Sequence, residues 1–259
     1  MKNLLRFEYR RLFRAKVFFI CMGIAALLVV LSAVTTKVLL TALESAEEMT
    51  EALGAPALQA PTALALLKGV GNSSLTLIMA IFVTIFVSED FSGDIIKNVY
   101  SKGYTRESVF LAKYLSSLTG CLIMTLTNAL LSLLLGVIFF DGFGAAGKNF
   151  AGSLIAILLL LIAFHAIYFA ITISLHRTGG SIALAILAPT VISGALMLFD
   201  SLLKSDKYLL SDYWLDGRLN KMAEHDVESV DVVTSIVIAL VFIAIALLIG
   251  FFVHRKREK

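Results

Sequence analysis

Six long stretches without any Lys, Arg, Asp or Glu divide the chain. Each holds 20 residues or more, about the length at which an α-helix crosses the roughly 30 Å hydrocarbon core of a bilayer. The pattern predicts an all-α membrane protein with a single transmembrane domain, residues 1–259. The predicted spans are about 17–36, 69–88, 114–140, 149–175, 178–199 and 232–253.

Composition supports a membrane protein. Hydrophobic residues make up 59% of the chain and charged residues 16%, against about 25% charged residues in a soluble domain. The first span is longer than the apolar part of a signal peptide and has no clear cleavage site, so we expect it to be retained. Cys21 and Cys121 fall inside predicted spans, where we expect small apolar residues rather than disulfide partners or metal ligands.

The charges predict an orientation. With six spans both termini share one side, and that side carries 15 of the 22 basic residues but only 6 of the 19 acidic ones. The excess of Lys and Arg predicts cytoplasmic termini. Orientation accounts for the basic residues, so no nucleic-acid partner is expected.

Two long loops, 37–68 and 200–231, then lie outside the cell. Both contain helical patterns such as "LLTALESAEEMTEAL" and "LNKMAEHDVESV". They form either a small ordered cap or solvated connections, and the pattern does not separate these alternatives.

The first 16 residues, "MKNLLRFEYRRLFRAK", predict a basic amphipathic helix. Such a helix lies in the membrane interface with its cations at the headgroups. The alternative is a plain basic anchor that only fixes topology. The predicted interfacial residues are Arg6, Arg10, Arg11 and Arg14.

The cytoplasmic segment 89–113 is longer than a turn between two spans requires. Ser92 is a suitable N-cap for a short helix that Gly103 can end. Thr105 is a suitable N-cap for the third span. The short helix either rests on the membrane or docks into a soluble partner. Its apolar positions are Phe91, Ile95, Ile96 and Val99.

This segment resembles the corresponding loop of type-2 ABC exporter permeases. In that family an acidic residue ends the second span, a G-x-I-x-N helix follows, and an Arg and a Lys open the third span. The matching residues here are Glu89, Gly93, Ile95 or Ile96, Asn98, Arg106 and Lys113. The resemblance implies that these residues, with Phe91 and Val99, form a coupling helix that seats in an ATP-binding partner. It also implies an interfacial elbow helix at the amino terminus.

The resemblance further implies a function. The chain would be the permease of an exporter in the bacterial plasma membrane, working with two ATPase subunits and a second permease chain, identical or paralogous. ATP and Mg²⁺ would be bound by the partner, with no cofactor in this chain, which would not itself be an enzyme. The implied substrate is an amphipathic or antimicrobial peptide, moved by alternating access. The alternatives are export of lipids or drugs, or a permease-like sensor or immunity scaffold that does not transport.

A few residues inside the spans are candidates for function. Polar groups in a span are costly unless they are paired, so Asn128 and His165 either line a translocation path or join neighbouring helices. Pro189, with Gly194 beyond it, predicts a kink that is either a hinge or a packing feature.

Residues 142–149, "GFGAAGKN", match the phosphate-binding pattern G-x-x-x-x-G-K-[ST] except at Asn149. They follow a predicted span rather than a buried strand and lie on the outer side. We interpret them as a flexible turn. The four histidines show no metal-ligand spacing, and no catalytic motif was found.

Overall fold

The structure is a computed structural model that describes residues 2–44, 62–71, 73–92, 99, 101–140, 142–175, 177–203 and 209–257. These residues form helices joined by short turns, and they contain no strand. The α-helices are α1 Lys2–Leu12, α2 Lys16–Glu44, α3 Ala63–Lys68, α4 Ser73–Ser92, α5 Arg106–Phe139, α6 Phe150–Leu175, α7 Thr178–Leu203, α8 Leu215–Ala223 and α9 Ser229–Arg257. Two 3-10 turns, Gly69–Gly71 and Ser211–Tyr213, precede α4 and α8.

Five helices, α2, α5, α6, α7 and α9, are long and apolar enough to cross a membrane. Ala63–Gly71 and Ser74–Glu89 pass the same test as a pair, with a bend of 40° at the break between them. This pair is either a broken span or a re-entrant segment. The protein is therefore an all-helical multi-pass membrane protein. The predicted second span differs from the prediction, because a bent pair of helices takes the place of one straight helix.

Most helices run past the charge-free stretches that predicted them. Helix α5 begins at Arg106, where the hydroxyl of Thr105 accepts a hydrogen bond from the Ser108 N–H at 3.3 Å, so the predicted N-cap is confirmed. Charged residues end a hydrophobic run without ending a helix, because Lys, Arg and Glu are good helix formers. Ser92 is the last residue of α4, and residues 93–98, where the short helix is predicted to begin, lie outside the described residues.

Helix α6 is the axis of the bundle. In the most apolar 18-residue stretch of α6, 61% is buried, whereas the corresponding share is 28% or less in each of the other four single-helix spans. It packs along α9 and also contacts α4, α7 and α8. Its aromatic residues Phe164 and Phe169 are fully enclosed.

The other long helices have exposed apolar outer faces. Examples are Leu27 on α2, Ile138 on α5, Leu198 on α7 and Phe252 on α9, each more than 60% exposed. Apolar surface on this scale suits hydrocarbon rather than water.

Candidate functional site

The bundle has two distinct ends. One carries α1, the start of α5 and the last turns of α9, and there Arg106 Nη1 donates to the carbonyl oxygen of Arg255 at 3.5 Å. We call it the terminal end. The opposite end carries α3 and α8, and its loops contact one another.

At the terminal end, a buried carboxylate joins α1 to α5. Glu8 is 2% exposed, and its carboxylate lies 3.3 Å from Arg11 Nη1 and 3.9 Å from Lys113 Nζ. The Lys113 side chain is 4% exposed. One residue along, the hydroxyls of Tyr9 and Thr119 are 3.1 Å apart. Helix α1 is thus attached to the bundle through polar contacts as well as through buried Leu12.

Arg11 points into this junction. Its Nη2 donates to the carbonyl oxygen of Phe86 at 2.6 Å, and its guanidinium lies 4.3 Å from the centre of the Phe86 ring. Of the four arginines predicted to face headgroups, Arg6, Arg10 and Arg14 are exposed, whereas Arg11 packs inside the bundle.

A small apolar cluster connects α1 with the predicted coupling segment. Leu4 of α1 is buried against Val109 and Ala112 of α5, and Val99 and Tyr104 pack on the same cluster. Gly93, Ile95, Ile96 and Asn98 lie outside the described residues. The terminal end therefore places part of the 89–113 segment directly beside α1.

The other predicted partner-facing residues lie in different surroundings. Glu89 is exposed and Arg106 is partly exposed, and both flank the segment. Phe91 lies in the last turn of α4. Lys113 lies inside the bundle, because Glu8 draws its ammonium group inward. The position of Lys113 just before a predicted span did not indicate that it pairs with a buried carboxylate.

The two polar residues predicted along a translocation path lie in different surroundings. His165 is fully buried, and its Nε2 is 3.0 Å from the hydroxyl of Ser117. Asn128 lines a cavity of about 480 Å³ beside α2, α3 and α4. His165 does not line that cavity, so the structure does not bring these two residues together.

A second cavity, of about 610 Å³, lies toward the opposite end between α4, α6, α7 and α8. Pro189 and Tyr168 line it, with Asp216 at its rim. Asp216 accepts hydrogen bonds from the Ser193 hydroxyl at 2.7 Å and from Trp214 Nε1 at 3.1 Å. Helix α7 continues through Pro189. Gly194 has open space at its Cβ position.

At the opposite end, the segment that resembles a phosphate loop is a docked turn. The Lys148 N–H donates to Asp226 Oδ1 at 3.0 Å, and Asn149 Nδ2 donates to the carbonyl oxygen of Val227 at 2.9 Å. A Cβ added to Gly147 would lie 1.8 Å from the carbonyl oxygen of His225, so this close approach requires glycine. Helices precede and follow the segment, so the prediction of a turn agrees with the structure, but the contacts with residues 225–227 hold the turn in place, whereas a flexible turn was expected.

The Asp226 carboxylate is the acidic group to which the 142–149 turn is hydrogen-bonded. The hydrogen bond from the Lys148 N–H is the largest effect that lowers the pKa of the Asp226 carboxyl, and the adjacent His225 lowers it further. Lys68 Nζ donates to the carbonyl oxygens of Glu224 and His225 from the other side. These hydrogen bonds connect the 142–149 turn, the loop that follows α8 and the end of α3.

The described part of the 200–231 loop also packs on the bundle. Helix α8 buries Leu215, Leu219 and Met222. Arg218, 3% exposed, lies 3.2 Å from Asp231 Oδ1. For the described part of the 200–231 loop, these contacts favour an ordered structure over a solvated connection, whereas residues 45–61 of the other predicted loop lie outside the described residues. The helical pattern predicted around residues 219–230 stops at Ala223 and resumes at Ser229.

A family model described as "Protein of unknown function (DUF2705)" matches residues 57–259. The searches of curated proteins and of solved structures found no match.

Proposed function

We propose that this chain, which belongs to the DUF2705 family, is the membrane-spanning permease subunit of an ATP-driven exporter. Its partner would be a separate ATP-binding subunit in two copies, and a second permease chain would complete the complex. ATP and Mg²⁺ would bind to the partner. Amphipathic peptides are the proposed cargo, and the complex would lie in the bacterial plasma membrane with the terminal end in the cytoplasm.

The observation that carries the proposal is the junction at the terminal end. Val99, from the segment that resembles a coupling helix, packs on the cluster formed by Leu4, Val109 and Ala112. A push on this segment would reach α1 and α5 together, because one buried cluster connects all three. Such rigid coupling of an interfacial helix, a loop and a span is what alternating access requires of a permease.

The Glu8 network would extend this coupling to a further helix. Arg11 holds both Glu8 of α1 and the Phe86 carbonyl of α4. Movement of α1 would therefore be shared by α4 and α5, two helices that flank the 89–113 segment. In this mechanism the partner's ATP-driven closure tilts these three helices as one unit.

The proposal is tested by co-expressing the chain with an ATP-binding subunit encoded beside it in the genome. We expect the two to co-purify, and we expect the complex in proteoliposomes to hydrolyse ATP faster when an amphipathic peptide is added. Failure of the pair to co-purify, or ATP hydrolysis without peptide movement, would contradict export. The second of these outcomes would favour a sensor or immunity scaffold instead.

A matched pair of variants tests the coupling segment itself. Glu89 and Glu107 are both exposed glutamates at the terminal end, so a partner protein can reach either side chain. Loss of one charge-assisted contact with a partner lowers affinity about tenfold or more, and we expect this loss in Glu89→Gln. Glu107→Gln should retain the partner. Equal affinities in both variants would remove Glu89 from the interface.

A further inference from the structure

We propose that the cavity at Asn128 is a binding site for an uncharged aliphatic molecule that carries a hydrogen-bond donor, such as a hydroxyl group. The occupant would be either a bilayer lipid or a small amphiphile. This inference does not depend on the proposed transport function, since it rests on the cavity alone.

The cavity is lined by four helices and one turn. Helix α2 forms one wall, α3 and the Gly69–Gly71 turn form a second, and α4 and α5 complete it. Its volume is about 480 Å³, within the roughly 300–1,000 Å³ of typical small-molecule sites. A folded peptide does not fit in this volume, whereas a lipid-sized chain or headgroup does.

Asn128 has an unsatisfied acceptor at this site. Its side chain is 1% exposed, and its Nδ2 donates to the Met124 carbonyl oxygen at 2.7 Å. The Oδ1 atom has no hydrogen-bond partner among the described residues. Leaving a buried polar atom without a hydrogen-bond partner costs free energy. Asn128 lines the cavity, so a donor bound there would satisfy Oδ1 when the amide group rotates toward it, and Asn128 therefore favours a ligand with an O–H or N–H group.

The other residues that line the cavity determine which ligand charge the site accepts. None of its residues carries a charge, and aliphatic side chains predominate. An ion would lose its hydration there without an opposite charge in return, so the ligand must be uncharged inside the cavity. Hydroxyl groups supply further acceptors, and they belong to Ser32, Thr35, Ser74 and Ser132.

The cavity has a route from the bilayer. Leu31 forms part of its lining and is 60% exposed, so the α2 wall reaches the apolar outer surface of the bundle. An aliphatic molecule can therefore approach from the hydrocarbon and place its donor at Asn128. A ligand dissolved only in water has no comparable apolar path.

The test uses the full chain in phosphatidylcholine nanodiscs, because this lipid has no hydrogen-bond donor in its headgroup. The probe is a long-chain alcohol with a diazirine, and labelled residues are mapped by mass spectrometry. The competitors are 1-decanol and 1-methoxydecane at equal bilayer concentrations, which differ in the donor. In a separate arm, dioleoylglycerol tests whether a bilayer lipid is the natural source.

We expect labelling of the lining segments of α2 and α3, with 1-decanol about tenfold more effective than the ether, the value of one hydrogen bond to a buried acceptor. Asn128→Leu should abolish this preference. Thr127→Val is the matched control and should keep it, because the Thr127 hydroxyl donates to the Ile123 carbonyl of its own helix. Competition by dioleoylglycerol would identify a lipid, and its absence would identify a small amphiphile.

Labelling confined to the outer surface of the bundle would overturn the proposal. Equal competition by alcohol and ether, or a preference that survives Asn128→Leu, would also overturn it. Those results would mean that water satisfies Asn128. Asn128→Leu removes the unsatisfied Oδ1 together with a hydrogen bond to a carbonyl oxygen of the same helix, and leucine has a similar size, so folding should not suffer.

Discussion

Removing the Glu8 carboxylate should detach α1 from the bundle. Glu8 is 2% exposed and lies 3.9 Å from Lys113 and 3.3 Å from Arg11. At such distances two unit charges attract by about 4 kcal/mol where the effective dielectric constant is about 20. Desolvation offsets part of this attraction. Loss of one partner of a buried pair nevertheless costs about 3–5 kcal/mol, because the other charge stays buried.

We expect Glu8→Ala to lower the free energy of unfolding by about 3 kcal/mol, near the lower end of that range. The lower end is appropriate because the Arg11 side chain is 18% exposed and keeps partial hydration. The assay is an SDS titration of the purified chain in mixed micelles, followed by circular dichroism. Limited proteolysis of α1 gives a second, local readout.

A double-mutant cycle separates the ion pair from other consequences of the change. Lys113→Met removes the cation while keeping most of the aliphatic stem. The double variant should lose about 1–3 kcal/mol less than the two single variants together, as expected for groups in contact. Glu107→Ala, at the exposed first turn of α5, should cost no more than about 1 kcal/mol. Additive losses in the cycle, or equal losses for Glu8→Ala and Glu107→Ala, would refute the buried pair.

Three further changes probe the opposite end and the core. Gly147→Ala should cost about 1–3 kcal/mol in the same titration, because the new Cβ meets the His225 carbonyl oxygen. Asp226 has a lowered pKa, so it contributes stability above the ordinary carboxyl pKa of about 3.9 and loses it as the pH falls through the lower folded value. Asp226→Asn should flatten the wild-type loss of thermal stability below about pH 4. Ser117→Ala should cost about 1–3 kcal/mol, because it removes the partner of buried His165 Nε2.

Two of these changes have a control variant, and the third has a pH profile that can contradict it. Gly180→Ala introduces a Cβ into open space in α7 and should be neutral or stabilising by up to about 1 kcal/mol. Thr127→Val should be nearly neutral beside Ser117→Ala, because its hydroxyl bonds only to its own helix. An unchanged pH profile in Asp226→Asn would show that this carboxylate does not hold the loops together.

The long helices could be predicted because lipid-facing segments exclude charge. The bend before α4 could not. Lys68 is the charged residue that ends the uncharged stretch before it in the sequence. In the structure, however, it is only 3% exposed, and its ammonium group donates to the carbonyl oxygens of Glu224 and His225. These acceptors are far along the chain, so α3 joins the bundle in a way that no local pattern indicates.

The candidate sites show the same limit. Glu8 stands among several cations, a pattern typical of a solvated helix face, and only the fold brings Lys113 to it. Asn128 could be identified as costly inside a span, but its open acceptor depends on how α2 and α3 surround it. The apolar position of Val99 was predictable, whereas its contact with α1 was not.

The close pairing of α6 with α9 has a consequence for biosynthesis. Helix α6 is made well before α9, yet α9 is its most extensive neighbour, and the buried hydroxyls of Ser153 and Ser235 lie on these two helices. During translation α6 must therefore wait in lipid, or beside an insertion factor, until the last helix arrives. A ribosome stalled before residue 229 would release a chain whose central helix is only half covered. Such a chain should be recognised by membrane quality control more readily than one truncated within the first helices.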